Sequence, residues 1–122
     1  MNDLQAAVEM LKEKIVPEYW KSIDVDEGWY QLIVDCDREL TGVDPKYQIY
    51  QVKEKFGGLR IYFMMNTKND DLYMKVQKII DIAEDASYET CQITGKPGVL
   101  CKNGRWYMTL CEESRISMGY KT

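Results

Sequence analysis

The chain's 122 residues suit one domain, and 16 basic against 20 acidic residues leave a net charge of −4. That balance argues against broad, nonspecific nucleic-acid binding, which draws on many Lys/Arg–phosphate contacts. There is no histidine, so Ser-His-Asp and Cys-His chemistry cannot be built within one chain and the commonest zinc ligand is missing.

No apolar stretch approaches the ~20 residues of a membrane helix. The opening "MNDLQAAVEMLKEK" lacks the basic-then-apolar order of a signal peptide. A cytoplasmic location is expected, with Cys36, Cys91, Cys101 and Cys111 as reduced thiols rather than a disulfide framework.

Residues 3 to 15 are predicted as an amphipathic helix, with Leu4, Ala7, Val8, Leu11 and Ile15 on one face and Asp3 as N-cap. After Pro17, "EYWKSI" reads as a short turn or helical piece. A second helix is predicted from about residue 26 to 40, with the stripe Trp29, Ile33, Cys36 and Leu40 and a stop at Thr41-Gly42. On that stripe Cys36 reads as a small core residue. "VDPKY" is a turn, and "YQIYQVKEKFGGLRIYFMM" is a β-hairpin with Gly57-Gly58 as its loop.

That loop would make Val52, Phe56, Leu59, Ile61 and Phe63 a core face, and Lys53, Lys55, Arg60 and Tyr62 a basic face. Glu54 falls on the apolar side, so it must either escape at the tip or find a partner. "NTKNDD" is a loop and cap, followed by a third helix with Leu72, Val76, Ile79, Ile80, Ala83 and Ala86 on one face. Asn103-Gly104 then predicts a second hairpin that pairs Cys101 with Trp106 and Val99 with Met108.

Around that hairpin the cysteines are spaced as in a zinc ribbon, which needs a Cys-x-x-Cys turn before and after. Cys91 and Cys111 open the two turns, but Thr94 and Ser114 occupy the second ligand positions. Neutral hydroxyls are poor zinc ligands, so the set reads as a vestigial knuckle in a metal-free ribbon packed by Val99, Trp106, Met108 and Leu110. The alternative is zinc held by Cys91, Cys111 and a third thiol such as Cys101, although the expected register aims Cys101 at Trp106.

The fold class expected is α+β: two N-terminal helices, a hairpin, a third helix, then a small zinc-ribbon-like hairpin. Residues 1–88 form the core, and 89–122 pack on it as one compact unit. Further strands beside the first hairpin are expected from the second hairpin or from a second copy in a homodimer, because a lone two-stranded ribbon is marginal.

The runs "GWYQLIVDCDRELTG", "QVKEKFGGLRIYF" and "CQITGKPG…GRWYMTLC" resemble a group of small uncharacterised bacterial and phage proteins. In many bacterial members both knuckles are complete. The resemblance implies no catalytic residues and no activity.

The leading expectation is a phage-encoded, non-enzymatic protein in the host cytoplasm. It would bind a host protein, for example a defence factor, and modulate or inhibit it. The alternative is a small-ligand binder that holds a nucleotide or other phosphorylated molecule on Lys53, Lys55, Arg60 and Tyr62. An enzyme using carboxylates or tyrosine ranks last; Asp35 and Glu39, four apart on one helix face, are its nearest approach to a divalent-cation site. The surplus of Trp20, Tyr30, Tyr47, Tyr50, Tyr62, Tyr88, Trp106 and Tyr107 suits either a binding surface or a small core.

Overall fold

In the computed structural model, which describes residues 2–65 and 68–122 apart from the Tyr19 side chain, Asn2 rather than Asp3 caps the first helix. The Asn2 side chain accepts from the Gln5 amide and the Gln5 side chain accepts from the Asn2 amide, a reciprocal capping box. Helix α1 (Asp3–Leu11) is shorter than its periodicity predicts. It tightens into a 3-10 turn at Lys12–Lys14, and Ile15 leaves it to bridge Ile49. Val8, Leu11 and Ile15 are nonetheless all buried.

The sequence pattern does not reveal β1 (Ile23–Asp24), which is too short to carry a period. It runs parallel to β2 (Gln48–Lys55), with Ile23 opposite Val52 and Asp24 opposite Lys53. The first hairpin's extra strand therefore comes from its own chain, and β4–β5, expected as one possible source of it, form a separate sheet. The sheet order is β1-β2-β3, with β3 spanning Gly58–Met64.

After a 3-10 turn at Glu27–Trp29, α2 (Tyr30–Val43) buries the predicted stripe of Ile33, Cys36 and Leu40 beneath Trp29. The helix runs through Gly42, where a stop was expected. A glycine costs roughly 1 kcal/mol in a helix interior, and the last turn is tied down from outside. Lys14 Nζ donates to Asp37 (2.7 Å) and Thr41 (3.0 Å), and the Tyr47 hydroxyl donates to Asp37.

The first hairpin turns one residue earlier than predicted. Lys55 pairs with Gly58, so Phe56 and Gly57 form the loop, with φ of 53° and 84°. Two positive φ values match a type I′ turn. Gly58 is a packing position instead: a Cβ there would lie 2.2 Å from Tyr88 Cζ. Because moving the loop by one changes each partner by two, the faces are preserved. Val52, Leu59 and Ile61 are buried as expected and Phe63 is half-buried, but Phe56 is exposed at the tip. Glu54 is accounted for by the turn itself, where its carboxylate accepts from the Gly57 amide (2.6 Å).

Helix α3 (Asp70–Ser87) is capped by Asn69, whose side chain accepts from the Leu72 amide (3.1 Å), and buries Val76, Ile80 and Ala83. Asn66 and Thr67 of the predicted loop lie outside the described residues. The main core joins the buried faces of α1, α2, α3 and the three-stranded sheet. The chain is thus α+β, with a second, two-stranded sheet following.

That sheet pairs β4 (Val99–Asn103) with β5 (Trp106–Leu110), and an unpredicted helix, α4 (Glu112–Met118), follows it. Here too the turn slips by one. Asn103 pairs with Trp106, leaving Gly104-Arg105 as the loop with only Gly104 at positive φ, the pattern of a type II′ turn. Trp106 and Val99 are exposed rather than packing the ribbon. The small core is instead Cys91, Cys101, Leu110 and Cys111, with Met108 and Tyr120 against it.

Phe56 at positive φ is a conformational cost that glycine or asparagine would avoid. Phe56→Asn is expected to raise the unfolding free energy by about 1 kcal/mol, read from the urea midpoint at unchanged slope.

Candidate functional site

The predicted basic residues do share one face of β2–β3. Lys53 stands directly opposite Arg60, and Tyr62 opposite Gln51. The Lys53 ammonium lies 5.7 Å from the Tyr62 ring centre, and that of Lys55 lies 5.9 Å from the Phe56 ring at the tip. Arg60 is already engaged: NH1 donates to the Leu59 carbonyl and NH2 to the Tyr88 hydroxyl, both at 2.9 Å. The Tyr88 bond favours the charged guanidinium and burial opposes it, with a net upward shift of its pKa.

Two acids temper this face. The parallel pairing sets Asp24 beside Lys53, and Glu84 of α3 lies close enough to Arg60 for each to act on the other's charge. Glu84 is pushed up by burial, with the Ile61 amide and Arg60 pulling it partly back. The face is therefore amphipathic rather than uniformly basic.

A groove of about 770 Å³ runs along it, lined by Trp20, Tyr50, Arg60, Tyr62, Tyr73 and Glu84 among others. Trp20 meets Tyr50 edge-on at 5.6 Å between ring centres, and Phe63 meets Tyr73 at the same separation. Tyr50 belongs to this face because the β2 register shifts between Ile49 and Gln51, the mark of a β-bulge. Trp20 and Tyr50 were visible in the sequence as surplus aromatics, but nothing marked their meeting. Tyr73 and Glu84 carried no signal, because their place depends on how α3 crosses the sheet.

Helix α3 also closes the outer edge of β3. The Leu59 amide donates to Ser87 Oγ and the Ile61 amide to Glu84 Oε2, each at 2.9 Å. Exposed edges invite strand pairing, and here the edge amides of Leu59 and Ile61 are taken within the chain. A ligand would thus be met by the sheet's face and its aromatic side chains.

The second predicted constellation also converges. Thr94 donates its amide to Cys91 Sγ (3.5 Å) and its hydroxyl to Cys111 Sγ (3.6 Å). Both thiols in turn reach Ser114 Oγ, Cys91 at 3.7 Å and Cys111 at 3.3 Å. Cys101, expected to point away toward Trp106, pairs with Met108 and is buried in the same small cluster as Cys91 and Cys111. Among the described residues no three Cys, His, Asp or Glu side chains are grouped to hold a metal ion. Asp35 accepts from Gln31 (2.9 Å) and Arg38 (3.1 Å), so its carboxylate has partners on its own helix. Also among the described residues, no helix is long and apolar enough to cross a membrane.

The edge closure gives a direct test. Ser87 is fully buried, and Ser87→Ala would strand the Leu59 amide away from water. The expected loss is about 1–3 kcal/mol of unfolding free energy, measured in urea.

No family model, curated protein or solved structure matches the chain, so the groove and the paired thiols stand on their own geometry.

Proposed function

We propose that this protein is a non-enzymatic interaction protein, phage-encoded, that binds a host protein on the aromatic face of β2–β3 and modulates or inhibits it. What carries the proposal is the exposed set Trp20, Tyr50, Tyr62 and Tyr73, each 38–50% accessible, around Lys53 and Arg60 on a chain of net charge −4. Amphipathic aromatics beside a cation supply large contact area at low entropic cost and dominate many protein interfaces. The partner segment would be apolar with an acidic flank, complementing Lys53 and Lys55. The phage origin rests on the resemblance of the "QVKEKFGGLR" hairpin and its flanking runs to small bacterial and phage proteins.

The nucleotide alternative draws on Lys53 and Arg60 facing each other across the hairpin. It is weakened by the bonds Arg60 already makes and by Asp24 and Glu84 nearby.

The folded protein, immobilised in host lysate, is expected to retain one partner in stoichiometric amount. Tyr50→Ala with Tyr62→Ala should weaken that complex by roughly 30-fold or more, as hot-spot tyrosines do. Equal retention by the double variant would exclude this face, and a melting shift with nucleotides alone would favour the alternative.

The ribbon is proposed to hold no metal. Elemental analysis of protein purified without chelator should find zinc well below stoichiometric, with EDTA leaving the melting temperature unchanged.

A further inference from the structure

Four cysteines that look alike in sequence occupy two different environments. Burial raises the Cys36 thiol to about 12, with Glu39, Asp37 and Glu84 adding to it. Cys101 is also raised by burial, and its thiol donates to the Val99 carbonyl (3.2 Å). Cys91 and Cys111 move the other way. Burial pushes Cys91 up, but the Thr94 hydroxyl and the amides of Cys111, Thr94 and Ile93 outweigh it and hold the thiol at about 6. The Ser114 hydroxyl and amide, then the Thr94 hydroxyl, lower Cys111. Thr94 thus donates to both sulfurs, by its amide to Cys91 and its hydroxyl to Cys111, while Ser114 Oγ is the oxygen that both thiols reach.

Position separates the pair as well. Both sulfurs reach one oxygen, Ser114 Oγ, Cys91 at 3.7 Å and Cys111 at 3.3 Å, and Thr94 also bridges them. Cys91 is wholly covered, whereas Cys111 keeps 8% of its surface and lines an open cleft of about 350 Å³ with Gly98, Leu110, Glu112 and Arg115. The Arg115 guanidinium is held in that cleft by the Tyr120 carbonyl (3.1 Å).

We propose that Cys111 and Cys91 form a peroxide-sensitive dithiol, with Cys111 at the cleft as the attacking sulfur and Cys91 behind it as the resolving one. The Cys111 thiolate attacks one oxygen of hydrogen peroxide; an S–O bond forms, the O–O bond breaks, and hydroxide leaves. The Cys91 thiolate then attacks the sulfenic sulfur; an S–S bond forms, the S–O bond breaks, and a second hydroxide leaves. With two protons taken up, peroxide becomes two waters, and the sulfurs have together given up two electrons. The disulfide would tie the two knuckles covalently around β4–β5. This inference is independent of the interaction surface above.

The test treats the full chain with hydrogen peroxide, blocks free thiols, and maps the peptides by tandem mass spectrometry. A Cys91–Cys111 link, lighter by two hydrogens and reversed by dithiothreitol, is expected while Cys36 and Cys101 stay free. Cys91→Ser should halt at a Cys111 sulfenic acid that dimedone traps. Cys111→Ser should slow thiol loss by about ten-fold or more. Uniform loss of all four thiols, a link through Cys101 or Cys36, or an undiminished rate in Cys111→Ser would overturn the assignment. The mapping of the unsubstituted protein decides even if a variant misfolds.

Discussion

Trp29 is the side chain on which the two parts of the molecule depend. Its ring is wholly buried in the main core, yet its indole nitrogen donates to the Thr90 carbonyl (2.8 Å), at the entry to the ribbon. A buried indole N–H without an acceptor would cost about 1–3 kcal/mol, so the ring's position constrains where the chain after α3 can go. Around it the seam is completed by backbone. The Gly28 amide donates to Gln92 (2.9 Å), and Thr109 Oγ1 donates to the Gly57 carbonyl at the first hairpin's tip (2.7 Å). A side chain at position 28 would collide with the Cys91 carbonyl at 2.2 Å. The ribbon's own core is four small or medium side chains, too little to fold unaided. It is held largely because the larger core supplies this seam.

The same economy of backbone groups shapes the proposed surface. Had the outer edge of β3 been open, strand addition would be the natural mode of partner binding. Ser87 and Glu84 take its Leu59 and Ile61 amides, and Arg60 folds back on the Leu59 carbonyl. What remains available is the face, where recognition runs through rings and their flanking charges. That shifts the weight from the cations singled out in the sequence to the tyrosines among them.

Periodicity made the large elements legible. The stripe Trp29, Ile33, Cys36 and Leu40 and the face Val76, Ile80 and Ala83 are buried as their spacing demands. Both hairpins were legible too, and so were the faces of the first, because the two-residue period survives a shift of the loop; on the second, Val99 and Trp106 are exposed where packing was expected. The loops themselves were misread for a physical reason. Glycine marks a turn by permitting positive φ, but Gly58 is required by Tyr88 lying against it, while Phe56 accepts a left-handed backbone. The short elements β1 and α4 fall below the length at which a pattern can be counted. The groove was out of reach altogether, since Trp20, Tyr50 and Tyr73 come from three segments that only the packed sheet and helix bring together.

The knuckle poses a question of how a tight turn is held when two of four thiolate positions carry hydroxyls. Here the backbone closes both turns. Gly95 donates to the Cys91 carbonyl (2.8 Å), Cys91 to Lys96 (2.7 Å), and Arg115 to Cys111 (2.9 Å). Both turns are thus closed by hydrogen bonds of the backbone itself. A hydroxyl is a weak zinc ligand but a good donor to sulfur, and Thr94 and Ser114 stand where each can reach sulfur. At these two positions the hydroxyls therefore join the two turns through sulfur–oxygen contacts, Thr94 to Cys111 and Ser114 to both thiols.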